Sequence, residues 1–152
     1  MMTPCPFGFR IVGPTTGARR IIDWSAAFAG YAECDQRAEL DREGYLSAFC
    51  FGADFRQQLE TTGSVGGFSG RCWSPWLWLD IDRDGNLPLA LDHARRLTIA
   101  ATERFKLGDD DLLIFFSGSK GFHVGLPTAT WTPEPSPMFH KTARKFAECV
   151  AA

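Results

Sequence analysis

No stretch of the 152-residue sequence approaches the roughly 18 uninterrupted apolar residues that a membrane-spanning helix needs, and its opening, MMTPCPFGFR, lacks the charged-then-apolar order of a secretory signal. A soluble, cytoplasmic protein is expected. Net charge is scarce too: 16 Lys and Arg against 18 Asp and Glu leave a formal charge of -2. No global basic footprint therefore announces a polynucleotide partner, and any such contact has to rest on local patches or bound cations. The cysteines are few and badly spaced for cross-links. Cys5, Cys34, Cys50, Cys72 and Cys149 are odd in number and include no C-x-x-C pair, so neither a disulfide framework nor a zinc knuckle is indicated. Reduced, mostly buried thiols are expected. Internal repeats and low-complexity tracts are also missing.

What is present is apolar and aromatic: 45% hydrophobic and 13% Phe, Trp or Tyr, enough for one sizeable core. The glycine-rich piece TTGSVGGFSGRC, residues 61–72, reads as a loop between an N-terminal α/β module, residues 1–72, and a second module, residues 73–152. In the first, YLSAFCF (45–51) has the aromatic content of a strand, and DFRQQLE begins a short helix with Asp54 in a capping role. Residues before about 40 give no clear pattern, within the usual boundary error of about 2 to 4 residues.

The second half is more regular. WLWLDID alternates so that Trp76, Trp78, Asp80 and Asp82 share one strand face and Leu77, Leu79 and Ile81 the other. Pro88 suits a first helical turn, and Leu91, Ala94, Leu97 or Thr98, Ala101 and Phe105 recur at helical spacing until Gly108. DLLIFFSG and FHVGLP read as two further strands. SPMFHKTARKFAECV, from Ser136, reads as a closing helix with a cap and a following proline. Strand, helix, strand, strand, helix is a split βαβ, ferredoxin-like order without its last strand. In such a unit that last strand pairs with the first, which leaves Trp76–Asp82 at an edge.

The alternating aspartates of LWLDIDRDGNL admit three chemistries. A calcium loop would use Asp80, Asp82 and Asp84 with Gly85 at the sixth position, but it needs a glutamate where Leu91 stands and a helix where a strand leads in. In a haloacid-dehalogenase-like phosphatase, which DRDGNL and IFFSG resemble, Asp82 attacks phosphorus, Asp84 acts as acid and Ser117 supplies the second motif. That reading finds no later acidic pair for magnesium and gives SKGFHV no task. The third uses both motifs. Asp80 and Asp82 on one face clamp divalent cations for phosphoryl transfer, while FSGSKGFHV holds a triphosphate. Its glycines let backbone N–H groups turn toward an anion, Ser117 and Ser119 add hydroxyls, Lys120 adds a positive charge, and His123 follows on the next strand.

WLWLDID followed by FFSGSKGFHVGLP resembles motifs one and two of the archaeo-eukaryotic primase superfamily, the catalytic small-subunit type of DNA primase and its primase-polymerase relatives. YLSAFCF, GSVGGFSGRCWSPWLWLDID and LALDHARRL are similar to the same group, so the likeness runs from about Gly44 to Pro127. The resemblance implies an N-terminal α/β module on an RRM-like catalytic unit. It implies Mg²⁺ or Mn²⁺ at Asp80 and Asp82, and nucleotide-binding roles for Ser117 and His123. Nucleoside triphosphates and a single-stranded DNA template would be the substrates, in primer synthesis for DNA replication, with a helicase or large subunit as further partner. The family also carries a third motif, an aspartate on a strand after the last helix, and this sequence ends before one. A catalytically inactive nucleic-acid-binding remnant is therefore a further alternative.

Other candidates carry blander readings. Asp84 and Gly85 fit a plain strand-to-helix turn, Asp109, Asp110 and Asp111 a solvated loop, and His93 and His140 helix surfaces. Trp76 and Trp78 could stack on bases or be covered by the first module. Among the basic residues, Arg71 in the glycine-rich loop is assigned to template phosphates.

Overall fold

A computed structural model describes residues 5–33 and 43–151, in an α+β arrangement of four α-helices and antiparallel sheets. The chain forms two compact units, one of residues 1–73 with 134–140, the other of 74–133 with 141–152. No helix among the described residues is long and apolar enough to cross a membrane.

In the first unit β1 (Phe7–Val12) pairs antiparallel with β2 (Arg20–Asp23), β3 (Gly44–Leu46) and β4 (Cys50–Phe51), and β4 pairs with β5 (Cys72–Trp73). Helices α1 (Trp24–Glu33) and α2 (Ala53–Thr62) accompany the sheet. Expected as one strand, residues 45–51 form two. Buried Ser47 is the reason: its hydroxyl accepts from Phe9 N at 3.2 Å and donates to Phe49 O at 2.8 Å, so a side chain replaces ladder bonds. Helix α2 is capped by Gly52, not Asp54, which sits in the first turn and accepts from its neighbour Phe55 N. Stacked Phe51 and Phe55 rings, 4.0 Å apart, with Phe68 edge-on to Phe55 at 5.0 Å, fill the space over α2.

The expected helix from Ser136 starts three residues later, as α4 (Phe139–Ala151). The backbone of Ser136 is otherwise engaged, donating to Cys72 O at 3.2 Å and accepting from Cys72 N at 3.1 Å. Ser136 is thus held in an extended bridge to Cys72 while its carbonyl and hydroxyl accept from Phe139 N and Met138 N at 3.2 Å each, so a turn precedes the helix.

The second unit runs β6 (Trp76–Asp82), α3 (Leu87–Phe105), a 3₁₀ turn at Asp109–Asp111, β7 (Leu113–Phe116), β8 (Gly121–Pro127) and the α4 residues from Lys141. The sheet order is β6-β8-β7, both pairs antiparallel, so β8 is central and β6 is an edge strand among the described residues. Leu77, Leu79 and Ile81 are buried, as are Val124 and Leu126 beside them. Each such side chain contributes about 1.5–3 kcal/mol of hydrophobic stabilisation. Helix α3 turns Ala90, Ala94 and Ala101 inward, and these small residues let it lie close to the sheet. Its start follows from Asn86, whose side chain accepts from Leu89 N at 3.0 Å, with Pro88 in the first turn. Phe146 of α4 stacks on Trp131 at 4.0 Å and meets Phe105 of α3 at 5.5 Å.

Candidate functional site

β6 carries Asp80 and Asp82 on the face opposite its buried leucines, at side-chain exposures of 66% and 33%. The register of the β6–β8 pair sets Asp80 opposite His123 and Asp82 opposite Gly121. Cross-strand partners share a face. His123 Nε2 accordingly lies 3.4 Å from Asp80 Oδ1. Phe115 on β7 is the other neighbour of His123, and the rings of Trp78 and Phe115 lie 5.8 Å apart over Gly125, whose missing side chain leaves room for the indole. Aromatic residues and acids thus occupy one sheet face.

The turn from β7 to β8 is closed by its own bonds. Ser117 N donates to Gly121 O at 2.9 Å, Gly121 N donates to Ser117 Oγ at 3.0 Å, and Gly118 takes the left-handed conformation at φ 89°. Two of the amides expected to face an anion are therefore spent inside the turn, which leaves Gly118, Ser119 and Lys120 as the residues whose amides it can present. Lys120 Nζ reaches back to Asp82 Oδ2 at 3.0 Å and Asp84 Oδ1 at 3.6 Å. Its pKa is raised by the hydrogen bond and charge of Asp82, with Asp84 adding to both, so the ammonium is secure at neutral pH.

Asp80, Asp82, Ser117, Ser119, Lys120 and His123 all belong to the second unit, whereas Arg71 is an exposed residue of the first, just before β5. Two residues contribute in ways the sequence reading did not specify. Asp84, read as a turn residue or, in the phosphatase alternative, as the acid, partners Lys120 and occupies the turn in which Gly85 has φ 68°. Gly121 permits the close approach of the strands: a Cβ there would overlap the Ile81 carbonyl oxygen and lie 2.6 Å from Asp82 Oδ1. The S-K-G-F-H spacing held the signal, since it puts glycine two residues before the histidine opposite Asp80. His93 is half-buried on α3, and with Arg83, Arg96 and Leu97 it lines a groove of about 450 Å³ along β6 beside Asp80.

Burial raises the pKa of Cys5, Cys50 and Cys72, that of Cys50 to about 12. Cation binding is another matter. No group of three or more His, Cys, Asp or Glu side chains placed to hold a metal occurs among the described residues. Two carboxylates on one strand face still fit Mg²⁺, which commonly takes one or two protein carboxylates and completes its shell with water and substrate phosphates. Asp80 and Asp82 are the residues that would hold it.

No protein-family model, no curated protein and no solved structure matches this chain.

Proposed function

We propose that the second unit is the catalytic core of a primase-polymerase-type nucleotidyltransferase, which joins nucleoside triphosphates on a single-stranded DNA template. The observation that carries this reading is the pairing of a two-carboxylate strand face, Asp80 and Asp82, with a Ser-Gly-Ser-Lys turn and His123 across one strand ladder. The order β6-β8-β7, with α3 linking the parallel outer strands, supports an RRM-like unit. The sequence resemblance points to Asp80, Asp82, Ser117 and His123 among these residues.

In this mechanism Asp80, which is exposed, and Asp82, which is partly exposed, would hold the cations on one strand face. When bound, Mg²⁺ or Mn²⁺ supplies Lewis-acid activation of the attacking 3′-hydroxyl and charge neutralisation at the leaving pyrophosphate. Lys120 and the Ser119 hydroxyl bind phosphate oxygens, and His123 donates to one through Nε2. Ser117 fixes the turn through its oxygen and retains a proton to donate. Trp76, Trp78 and Phe115 offer ring surface on the same face for bases.

Primer extension by the full protein, with labelled template and either metal, tests this. Asp80→Asn or Asp82→Asn should lower the rate at least about 100-fold, as expected for loss of a transition-state electrostatic contact. Near-normal extension by the double variant would remove the assignment. The contact of Asp82 with Lys120, and of Lys120 with Asp84, keeps a phosphatase with Asp82 as nucleophile as the second reading. Hydrolysis of p-nitrophenyl phosphate that is lost with Asp82→Asn alone would favour it.

A further inference from the structure

Lys120 touches the very carboxylate assigned to a cation. Its ammonium lies between Asp82, at 3.0 Å, and Asp84, at 3.6 Å, while Asp80 faces His123 instead. The backbone of Lys120 is anchored, because its carbonyl accepts from Arg83 N at 3.1 Å and the Ser117–Gly121 bonds close the turn that contains it. The side chain is 51% exposed, so it can swing while its backbone stays in place. Lysine suits such a task, being a compact charge on a flexible stem.

We infer that Lys120 is a tethered counter-cation. In the unliganded protein it neutralises Asp82, with Asp84 as its second resting partner, and it passes to the phosphates of the nucleotide when a divalent cation takes Asp82. This rests on the reading of Asp80 and Asp82 as cation-holding acids. It adds that the lysine competes with free metal and that arrival of a triphosphate relieves the competition. Metal and nucleotide then bind with positive coupling, which by linkage is equal in both directions. Asp84 gains a role from the same geometry: it offers the ammonium a partner that lies off the sheet face.

Titration of Mn²⁺ without nucleotide, followed by the electron paramagnetic resonance of the free ion, separates the two claims. Lys120→Gln should bind Mn²⁺ roughly tenfold more tightly than the wild type, the scale of one unit charge acting on a divalent ion about 4 Å away in salt-containing water. Lys120→Arg, which keeps the charge, should stay near wild type. Lys106→Gln, an exposed site at the end of α3, should also leave affinity unchanged. Unchanged affinity in Lys120→Gln, with binding still lost in Asp82→Asn, overturns the counter-cation and leaves the carboxylate assignment standing. Equal tightening in Lys120→Gln and Lys106→Gln also overturns it, since net charge alone would then explain the gain. Wild-type Mn²⁺ affinity in the Asp80→Asn/Asp82→Asn double variant, or no Mn²⁺ binding by any variant, overturns both.

Discussion

Asp82 and Gly121 face each other across the strand ladder, and each constrains the other. Any side chain at 121 would strike the Ile81 carbonyl and crowd the Asp82 carboxylate. Gly121→Ala should therefore destabilise the unit by about 1–3 kcal/mol, the usual cost of overpacking, and thermal unfolding measures it directly. A wild-type melting temperature would show that the strands can part without loss. Cys50 provides a prediction with a defined sign. Its thiol is pushed by burial from the ordinary 9.0 to about 12, and its Sγ lies 3.1 Å from the Trp73 carbonyl oxygen. Between those two values the unfolded chain has lost the proton that the folded chain retains, so stability is full below pH 9.0 and declines as pH rises toward about 12. Cys5 and Cys72 are shifted the same way by burial. Denaturant midpoints measured across this window should fall with pH, and Cys50→Ala should make the fall shallower. An unchanged slope in the variant would assign the pH dependence to other groups.

Among the elements, the second unit was the more legible because its strands alternate. Trp76 to Asp82 is buried at every second position, and the apolar spacing of α3 and the Asn-Leu-Pro start left little freedom. The first unit was hidden for reasons that can be named. Gly8 occupies an inward position of β1 because a Cβ there would come within 2.5 Å of Trp24 and 2.7 Å of Ser47 Oγ. A hydrophobicity pattern cannot register a core position filled by a neighbour's ring. Ser47 likewise interrupts an apparently continuous strand through buried hydroxyl bonds, and Ser136 delays α4 through a long-range backbone pair. Two element-level outcomes follow. Asn86→Ala should cost about 1 kcal/mol by removing the cap of α3, read from chemical denaturation. In hydrogen exchange, the amides of central β8 should be the slowest of the second-unit strands, with edge strands β6 and β7 faster. Slower exchange throughout β6 than β8 would contradict the strand order.

At the scale of the whole molecule, the candidate site was legible in residue type and in facing, but not in pairing. Asp80, Asp82, Lys120 and His123 could be named because a two-residue strand period and a glycine-serine-lysine turn have defined geometric consequences. That His123 would meet Asp80 while Lys120 met Asp82 depended on the β6–β8 register, which no local pattern encodes. Arg71 was assigned to template phosphates from its nearness in sequence to the Asp80 strand, and it belongs to the first unit. The central claim is that the two β6 carboxylates and the 117–123 turn together hold a metal-bound triphosphate. Equilibrium binding of a fluorescent nucleoside triphosphate, with Mn²⁺ and with chelator, to the wild type and to Asp80→Asn/Asp82→Asn tests it most directly. The account predicts Mn²⁺-dependent binding that weakens at least about tenfold in the double variant, matching loss of about 1.4 kcal/mol or more. Equal affinity in both proteins, or binding indifferent to chelator, would contradict it.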